Sequence, residues 1–452
     1  MRIADLAGQR VAIWGFGREG RAAIQALRKR LPALAPVLYC SDAEVAEAQA
    51  FDAALRIYPH EPDAVALSAY DIVIKSPGVS VYKPAIVTAQ AQGTRFTSGT
   101  ALWFGENPEA RVVAVTGTKG KSTTTALLAH LARALGVRTA LAGNIGLPLL
   151  ELLDQQAELW AIELSSFQTG DAGPLELGVI TSLYEEHLDW HGSRERYVAD
   201  KLKLADAARS LLVNSTQAQL LEKMAHHAHG LMFGQPEGWH VADGFIRRGT
   251  TDVFALEHIA VPGAHNALNA CAALAALEVM GYDAVAAAPA LATFHPLPHR
   301  LQPLGERDGL QWINDSISTT PQATLAALDS LHGREVTVIV GGHDRGLDWS
   351  GFVDAVKSRT SLRIITQGAN GPRIALALRA AKSELPLGDV DDLDDAVQMA
   401  RTITPEGGTV LLSPGAPSFD QFHDYAERGK RFAVLAGFDG HAIMGISGLG
   451  IA

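Results

Sequence analysis

The chain is poor in cysteine, in net positive charge and in long apolar runs, and each shortage excludes a class of protein. Two cysteines among 452 residues cannot build a disulfide framework, and Cys40 and Cys271 both fit reduced core positions. A net charge of −11 argues against nucleic acid as the main partner. No apolar run reaches the ~20 residues that span a membrane, and no signal peptide follows Met1. These features predict a cytoplasmic enzyme without a nucleic-acid or membrane partner.

What the chain does contain is a glycine-rich loop between a strand and a helix. The β-branched run 112–115 leads into Thr-Gly-Thr-Lys-Gly-Lys-Ser at 116–122, and a helix-forming segment follows at 126–135. Gly117 and Gly120 would let backbone N–H groups approach phosphate oxygens, and Lys121 would reach the terminal phosphates. The hydroxyl of Ser122 or Thr123 would hold Mg²⁺. The common pattern has one more glycine at 115, so this is a shortened phosphate loop rather than a plain lysine-rich turn.

The first 97 residues follow the pattern of a Rossmann-like βαβ unit. A strand at 10–14 precedes a G-x-G-x-x-G turn, a helix at 21–30 and a second strand at 37–40. The turn motif alone is a weak signal, and an acidic residue after the second strand strengthens it. A further strand at 71–75 ends in a Ser-Pro-Gly turn that could touch the same ligand, and a scaffold with an empty crevice is the alternative. The glycines of the first turn are Gly15, Gly17 and Gly20, and the strand ends that follow carry Ser41, Asp42, Ser76 and Gly78.

Titratable side chains follow the strands of the second block, which begins near residue 98. Glu163 ends an apolar strand opposite the phosphate loop, where a Mg²⁺ ligand is expected, and an exposed or helix-capping carboxylate is the alternative. His187 follows the strand 177–183 in an acidic turn and is predicted to contact a ligand or the reacting groups, and a structural histidine is the alternative. Lys201 lies in a helix predicted over 193–208 with Ser193 as N-cap, and on this pattern alone it is a surface side chain.

Strands alternate with helices along the whole chain, which predicts an α/β protein with parallel sheets. The blocks divide the chain into three domains at 1–97, 98–297 and 298–452. In the third block, strands at 336–340 and 409–412 again end in glycine or serine turns, where ligands bind in open sheets. The glycine-rich tail 439–452 is predicted to be poorly ordered.

Several motifs occur together and in the order seen in one enzyme family. They are GTKGKST at 117–123, GNIG at 143–146, ELSSFQ at 163–168, HLD at 187–189, GAHNALN at 263–269, LPHR at 297–300, NDS at 314–316 and LSPGAPSFDQF at 412–422. Over nearly its whole length the chain therefore resembles the Mur ligases. Within them it is most similar to the MurD-type branch, which adds glutamate to UDP-N-acetylmuramoyl-L-alanine.

The resemblance implies a Rossmann-like UDP-binding domain, a central P-loop-type ATPase domain and a C-terminal Rossmann-like amino-acid-binding domain. It also implies that ATP phosphorylates the substrate carboxylate and that the glutamate amine attacks the acyl phosphate, with release of ADP and phosphate. Carbamylation of Lys201 would turn an ammonium into a carboxylate-like metal ligand, which reverses the surface placement above. The implied catalytic residues are Lys121, Glu163, His187 and Lys201.

The family motifs also imply the contacts of each substrate in this chain. The ATP contacts would be Gly117, Thr118, Lys119, Gly120, Lys121, Ser122, Thr123, Asn266, Asn269, Arg300 and Asp315. The ligands of two Mg²⁺ sites would be Ser122, Glu163, His187 and carbamylated Lys201. The nucleotide-sugar contacts would be Gly15, Phe16, Gly17, Ser41, Asp42, Ser76, Gly78 and Asn144.

The glutamate pocket departs from the family pattern. Familiar MurD-type ligases place a lysine directly after Asn-Asp-Ser, where it binds a carboxylate of D-glutamate, but Ile317 stands there in this chain. Arg345 replaces a lysine after a Gly-Gly turn and would bind a carboxylate bidentately. These changes favour the variant class that adds L-glutamate, with ordinary D-glutamate addition as the alternative. The expected amino-acid contacts are Thr319, Arg345, Ser418, Phe419 and Tyr425, the last in place of a phenylalanine.

Other functions explain less of the chain. A folylpolyglutamate synthetase shares the ATPase and C-terminal domains and should lack the first Rossmann-like block. A dehydrogenase would use the first glycine turn but leaves the phosphate loop unexplained, and a non-catalytic scaffold leaves the catalytic side chains unexplained. The expected partners are therefore UDP-N-acetylmuramoyl-L-alanine and glutamate, and the family resemblance implies a monomer.

Overall fold

The computed structural model describes residues 1–184, 188–224, 230–261, 263–381 and 385–452. These residues form two compact units, each of which is described by itself. The first comprises Met1–Ile259, His265–Phe294 and Gly448–Ala452, and the second comprises Ala260–Ala264 and His295–Ser447. Within the ranges given above, no helix is both long enough and apolar enough to cross a membrane.

The first unit opens with a parallel sheet of five short strands. The strands are β1 (Val11–Trp14), β2 (Val37–Tyr39), β3 (Arg56–Tyr58), β4 (Ile72–Lys75) and β5 (Arg95–Thr97). The helices are α1 (Arg18–Arg30), α2 (Val45–Phe51), α3 (Ala64–Ser68), α4 (Pro84–Ala91) and α5 (Gly99–Glu106). The order β3-β2-β1-β4-β5 sets β1 beside β4, with Trp14 paired to Lys75. Their carboxyl ends flank the switch point where open α/β sheets bind ligands.

A second sheet in the first unit has central strands that are apolar and buried on both faces, as parallel strands between helix layers are. Six of its strands are β6 (Val112–Thr116), β7 (Thr139–Gly143), β8 (Leu159–Glu163), β9 (Leu175–Ile180), β10 (Ala208–Asn214) and β11 (Gly230–Phe233). They are parallel in the order β11-β10-β9-β6-β8-β7, so β6 lies between β8 and β9. All of β6 is buried. The phosphate loop therefore leaves the middle of the sheet.

Helices cover this second sheet, and a small antiparallel sheet follows it. The helices are α6 (Lys121–Ala134), α7 (Leu188–His191), α8 (Arg194–Ala207), α9 (Ala218–Met224), α10 (Ala264–Val279) and α11 (Ala284–Ala287). The antiparallel sheet consists of β12 (Trp239–Ala242), β13 (Phe245–Arg248) and β14 (Thr251–Ala255). Short 3-10 helices occur at Ile3–Leu6, Asp42–Glu44, Leu149–Leu152, Thr169–Asp171, Leu256–His258, Ala288–Thr293 and Ala442–Met444.

The second unit is a six-stranded sheet with apolar clusters on both faces. Its strands are β15 (Gln302–Arg307), β16 (Leu310–Asn314), β17 (Val336–Val340), β18 (Leu362–Thr366), β19 (Leu387–Asp389) and β20 (Thr409–Leu412). Its helices are α12 (Pro321–Ser330), α13 (Ser350–Val356), α14 (Gly371–Ala380), α15 (Leu393–Ile403) and α16 (Tyr425–Leu435). The order is β15-β16-β20-β17-β18-β19, and only the β15–β16 pair is antiparallel among these described strands.

The end of the chain is ordered as a strand, which corrects the prediction of a poorly ordered tail. Strand β21 (Gly450–Ile451) pairs antiparallel with β7 and becomes the seventh strand of the second sheet. The guanidinium of Arg133 donates to the carbonyls of Gly448 and Gly450 over 2.6 and 2.9 Å. Gly448 has a φ of 74°, and a Cβ there would lie 2.2 Å from Arg133 Nη1. The positive φ of Gly448 is a conformation that side-chain-bearing residues rarely adopt, so glycine here serves a defined backbone conformation.

The predicted fold class is confirmed, since strands of mostly parallel sheets alternate with helices in the described residues. The predicted helices and strands are present, with ends that shift by a few residues. Ser193 caps α8 as predicted, its hydroxyl accepting from the Arg196 N–H over 3.2 Å. Cys40 and Cys271 are both buried free thiols. The boundaries 1–97, 98–297 and 298–452 stay a prediction.

Candidate active site

The phosphate loop between β6 and α6 has the backbone that its sequence predicts. Gly117 has a φ of 146° and Gly120 a φ of 86°, values that side-chain-bearing residues rarely adopt. α6 begins at Lys121, and Ser122 and Thr123 follow in its first turn, where free N–H groups favour an anion. Lys121 Nζ donates to the Thr118 carbonyl over 3.1 Å. The loop therefore has the backbone conformation that is expected of a phosphate-binding loop.

Thr181 and Ser182, which directly follow β9, pack against the phosphate loop and form hydrogen bonds with it. The N–H groups of Thr118 and Lys119 donate to the carbonyl and the hydroxyl of Ser182 over 2.9 and 2.8 Å. A Cβ on Gly117 would lie 2.1 Å from Thr181 Oγ1, so only glycine fits at 117. No motif in the sequence predicts these contacts, although a Thr-Ser pair at the carboxyl end of a central strand is a signal for them.

Glu163 is a buried carboxylate beside the phosphate loop. It ends β8, pairs in register with Val115 of β6 and is 1% exposed. Its Oε1 accepts from the side-chain amide of Asn144 over 2.8 Å, and its Oε2 is buried without a hydrogen-bond partner. An unpaired buried carboxylate oxygen is costly unless a cation meets it. Glu163 therefore fits a Mg²⁺ ligand, as predicted from its place at a strand end.

A Mg²⁺ ion in a nucleotide site is commonly bound by one or two protein groups together with water and phosphate oxygens. Among the described residues, no group of three or more His, Cys, Asp and Glu side chains is arranged to hold a metal. Glu163 and Ser122 are the described oxygen donors that fit such an ion, which would neutralise phosphate charge. His187, the third predicted ligand, lies outside the described residues.

Lys201 is buried, which corrects the surface placement drawn from the helix pattern alone. It is 2% exposed, and its Nζ donates to the carbonyl of Gly117 over 3.0 Å. The ammonium lies 5.0 Å from the centre of the Tyr197 ring. The helix pattern failed because the accepting carbonyl belongs to the phosphate loop, 84 residues earlier in the chain. The family resemblance had implied this functional position.

Two asparagines of α10 lie at the other side of the loop. Asn266 and Asn269 are 8% and 9% exposed, and the amide of Asn269 donates to Asn266 Oδ1 over 3.4 Å. A Cβ on Gly120 would lie 2.5 Å from Asn269 Oδ1. Asn269 thus packs directly against the phosphate loop, where a nucleotide contact was predicted.

The predicted nucleotide-sugar residues lie at the carboxyl ends of β1, β2 and β4. Gly15 has a φ of 103°, and a Cβ there would lie 2.5 Å from the Ser76 hydroxyl, which is buried without a partner. Phe16 is fully buried against the Phe51 ring, so only its backbone could meet a ligand. The remaining members are exposed: Gly17, Ser41, Asp42 and Gly78. Asn144 instead bonds to Glu163, next to the phosphate loop.

In the second unit, Asp315 is a buried carboxylate at the end of β16. It accepts from the hydroxyls of Ser318 and Ser413 over 2.5 and 2.8 Å and from the Leu301 N–H over 3.1 Å. Burial raises the pKa of Asp315 to about 6, and the hydroxyl hydrogen bonds oppose that shift. The neighbouring Arg300 is half-buried. Both predicted ATP contacts of this unit thus lie together.

The predicted amino-acid residues are exposed to different degrees. The Arg345 guanidinium lies 5.8 Å from the centre of the Phe419 ring, which is 59% exposed. Ser418 is buried at 2% exposure and Tyr425 is 40% exposed. Thr319 is half-buried in the turn before α12. The structure therefore brings Arg345 and Phe419 together and turns the Ser418 side chain inward.

Arg428 is a buried residue of this unit that no motif predicted. It is 1% exposed, and it donates to the hydroxyl and carbonyl of Ser316 over 3.1 and 2.8 Å and to the Ala416 carbonyl over 3.0 Å. Burial lowers its pKa to about 10. It ties the turn after β16 to the turn after β20, both of which carry predicted site residues. Its only sequence signal is a charge on the apolar face of α16.

Comparison with known families decides the assignment. Residues 115–277 match the Mur ligase middle domain, and residues 299–416 match the Mur ligase, glutamate ligase domain. The chain belongs to the Mur ligase family. It is accordingly an ATP-dependent amide-bond ligase, and the dehydrogenase alternative is wrong.

Mur ligases of known name match along the whole chain. The UDP-N-acetylmuramoyl-L-alanine--L-glutamate ligases of Xanthomonas axonopodis pv. citri and Xylella fastidiosa are 50% and 51% identical, each with 100% of both chains covered. The crystal structure of the UDP-N-acetylmuramate-alanine ligase MurC from Thermotoga maritima has a TM-score of 0.60 at 20% identity, covering 94% of this chain and 98% of MurC. The last likeness shows the shared three-domain Mur ligase fold.

Proposed function

We propose that this Mur ligase joins L-glutamate to UDP-N-acetylmuramoyl-L-alanine, a step of peptidoglycan precursor synthesis. The observation that carries the proposal is the match over 100% of the chain to relatives that bear this name at 50% identity. Such a match includes the second unit, where the amino acid is expected to bind. The ATPase motifs are common to the family and do not separate its members.

The residues of the second unit support the choice of L-glutamate. Ile317 follows Asn314, Asp315 and Ser316 where D-glutamate ligases have a lysine, and an aliphatic side chain cannot bind a carboxylate. Arg345 supplies a cation from a different turn, after β17, and would bind a carboxylate bidentately. The proposed amino-acid contacts are Thr319, Arg345, Ser418, Phe419 and Tyr425. The pocket has thus changed while the phosphate loop has not.

The proposed chemistry passes through an acyl phosphate. A free carboxylate is a poor electrophile, and phosphorylation by ATP gives it a leaving group before the glutamate amine attacks. Lys121 and the loop N–H groups would bind the transferred phosphate, and Mg²⁺ held by Ser122 and Glu163 would neutralise its charge. We also propose that His187 and a carbamylated Lys201 serve a second Mg²⁺ site. The protein otherwise acts by positioning its substrates.

The remaining assignments follow the family motifs. ATP would be held by the loop from Gly117 to Thr123 with Asn266, Asn269, Arg300 and Asp315. The nucleotide sugar would be held by Gly15, Phe16, Gly17, Ser41, Asp42, Ser76, Gly78 and Asn144. We propose domains at 1–97, 98–297 and 298–452, and a cytoplasmic monomer without nucleic-acid or membrane partners.

Phosphate release tests this function directly. The purified protein is assayed with Mg²⁺-ATP and UDP-N-acetylmuramoyl-L-alanine, and L-glutamate is compared with D-glutamate in parallel. We expect turnover with L-glutamate and none above the no-amino-acid control with D-glutamate. Lys121→Ala serves as the control for phosphate released by contaminating enzymes. Turnover with D-glutamate alone would contradict the proposal and assign an ordinary D-glutamate ligase.

A further inference from the structure

A partly buried hydrogen bond joins the turn after β4 to the helix that carries Lys201. The hydroxyl of Tyr82 donates to both carboxylate oxygens of Asp200 over 2.9 Å each. Asp200 is 3% exposed and directly precedes Lys201 in α8. Burial, together with this bond, raises the pKa of Tyr82 to about 12, so its hydroxyl stays a donor at physiological pH. The family motifs assign no role to either residue.

Asp200 is also tied to the strand end that carries Glu163. The Nδ1–H of His191 donates to Asp200 Oδ2 over 2.7 Å, and His191 Nε2 shares a hydrogen bond with the Ser166 hydroxyl over 3.0 Å. His191 is fully buried, and Ser166 lies just beyond β8. The Thr169 hydroxyl donates to the Asp200 carbonyl over 2.6 Å. These bonds connect the backbone next to Lys201 with the segment that follows Glu163.

The turn itself is bound to α7 at two further points. The Ser80 hydroxyl donates to the Trp190 carbonyl over 2.6 Å, and Trp190 Nε1 donates to the Pro77 carbonyl over 3.1 Å. The rings of Tyr82 and Trp190 meet edge to face at 5.9 Å. This turn also contains Ser76 and Gly78, the proposed nucleotide-sugar contacts of β4. The turn after β4 thus carries proposed nucleotide-sugar contacts and is also bonded to α8, the helix that contains Lys201.

We propose that Tyr82 and Asp200 are positioning residues that couple the binding of a uridine diphosphate sugar at the turn to the placement of Lys201 at the phosphate loop. The inference rests on the proposed function, because it takes the turn as part of the nucleotide-sugar site. A ligand that orders the turn holds the Tyr82 hydroxyl against Asp200, and Asp200 holds the backbone at Lys201. A nucleotide at the phosphate loop favours the same arrangement, so the two ligands bind cooperatively.

Isothermal titration measures this coupling. UDP and the Mg²⁺ complex of AMP-PNP are titrated separately and then each in the presence of the other, into the wild-type protein and Tyr82→Phe. We expect about fivefold or stronger mutual tightening in the wild type. In Tyr82→Phe the tightening should fall below about twofold while each ligand alone binds within about twofold of wild type, because the ring and its packing are kept.

Tyr70→Phe is the matched control, since its hydroxyl bonds to Tyr39 over 3.1 Å in the same sheet and does not reach Asp200. It should keep the wild-type coupling. Asp200→Ala is a second test variant, which removes the acceptor of the Tyr82 hydroxyl and also the ion pair with Lys203 over 2.7 Å. It should also lose the coupling, and the double variant should lose no more. Undiminished coupling in Tyr82→Phe, or independent binding of the two ligands in the wild type, would overturn the inference alone. Failure of the wild type to bind UDP would overturn the proposed nucleotide-sugar site itself.

Discussion

The side-chain amide of Asn144 donates to one carboxylate oxygen of Glu163 over 2.8 Å and leaves the other oxygen buried and unpaired. The two residues lie at adjacent strand ends, and the Asn144 N–H also donates to the Glu163 carbonyl over 2.9 Å. An amide in this place fixes the orientation of the carboxylate, as outer partners of metal ligands do. Asn144 is therefore placed to orient the carboxylate that we propose as a Mg²⁺ ligand, in addition to its proposed contact with the nucleotide sugar.

Asn144→Ala is expected to raise the Mg²⁺ concentration needed for half-maximal ligase rate by about tenfold, the scale set by outer partners of metal ligands. The measurement is a Mg²⁺ titration of phosphate release at saturating substrates. Asn107→Ala is the control, because that amide caps a helix carbonyl at Trp103 instead. An unchanged Mg²⁺ requirement with a raised KM for the nucleotide sugar would limit Asn144 to its proposed substrate contact and contradict a role through Glu163.

Lys201→Ala is expected to remove most of the ligase activity, and added short carboxylic acids are expected to restore part of it. The physical reason is that a carbamate is a carboxylate-like ligand, which a small acid can replace in the space left by the side chain. Steady-state rates with and without acetate or propionate measure the rescue. Lys121→Ala should not respond, since an acid cannot replace an ammonium. Full activity of Lys201→Ala without additives would refute the carbamate role.

The phosphate loop, Glu163 and the parallel sheets could be predicted because their signals are local. A β-branched run, two glycines and a helix-forming segment adjoin one another, and Glu163 directly follows an apolar strand. Each of these patterns reflects the conformation of a few consecutive residues. The same holds for the Ser193 cap of α8.

The remaining features depend on contacts between distant residues, which periodicity does not record. The buried Lys201 ammonium donates to a carbonyl 84 residues earlier in the chain. The Arg133 guanidinium donates to a carbonyl 315 residues later. The tail looked flexible because glycine permits many conformations, yet Gly448 and Gly450 are fixed at positive φ. The Tyr82–Asp200 bond also spans two sheets of the first unit and could not be predicted from either segment.

Glu19→Gln is expected to stabilise the protein above about pH 7 and to have no effect below about pH 4. Burial raises the pKa of Glu19 to about 7, Arg18 opposes that shift, and Glu151 and Asp171 add to it. The pKa of a glutamate in an unfolded chain is about 4.3. Between that pH and the folded-state pKa of Glu19, the folded chain binds more protons than the unfolded chain, so stability falls as the pH rises. Above both values the ionised Glu19 costs on the order of 3 kcal/mol.

Denaturant unfolding of the wild type and Glu19→Gln at several pH values measures this difference. Glu47→Gln is the control with the opposite sign, because the hydrogen bond from Arg21 lowers the pKa of Glu47. Its neutralisation should lower stability slightly at neutral pH. A Glu19→Gln difference that is the same at low and high pH would show that volume or packing, and not ionisation, is responsible.

Deletion of residues 448–452 is expected to expose the edge of β7 and to speed amide exchange at 139–143. The deletion removes the pairing of Gly450 and Ile451 with β7 and leaves the Arg133 guanidinium without two of its acceptors. We expect a loss of about 2 kcal/mol, the sum of a few modest hydrogen bonds. Hydrogen exchange monitored by mass spectrometry follows the peptide directly. Arg133→Lys should speed exchange less than the deletion does, and Arg138→Lys, at an exposed position, should not change exchange. Unchanged exchange at 139–143 after the deletion would contradict the role of the tail.

Ile317→Lys alone is not expected to convert the protein into an efficient D-glutamate ligase. Ile317 is half-buried, and its N–H donates to the His299 carbonyl over 3.2 Å. A lysine adds a cation there but does not move the neighbouring groups. Arg345 still lies over the Phe419 ring. The Tyr425 ring still meets the His299 ring edge to face, with 5.8 Å between the ring centres. The two enantiomers carry the same carboxylates, so an added charge attracts both and selects neither. Chirality must then depend on where the existing cation and rings hold the two carboxylates relative to the amine.

Steady-state kinetics with both enantiomers test this argument, and Ile317→Met separates side-chain volume from charge. In Ile317→Lys, kcat/KM for D-glutamate should stay well below the wild-type value for L-glutamate, and KM for L-glutamate should change more than kcat because binding is altered more than chemistry. Arg345→Ala should lose L-glutamate binding by far more than either change at 317, since it removes the cation itself. A clean reversal of preference in Ile317→Lys would show instead that one cation position sets the stereochemistry of the whole pocket.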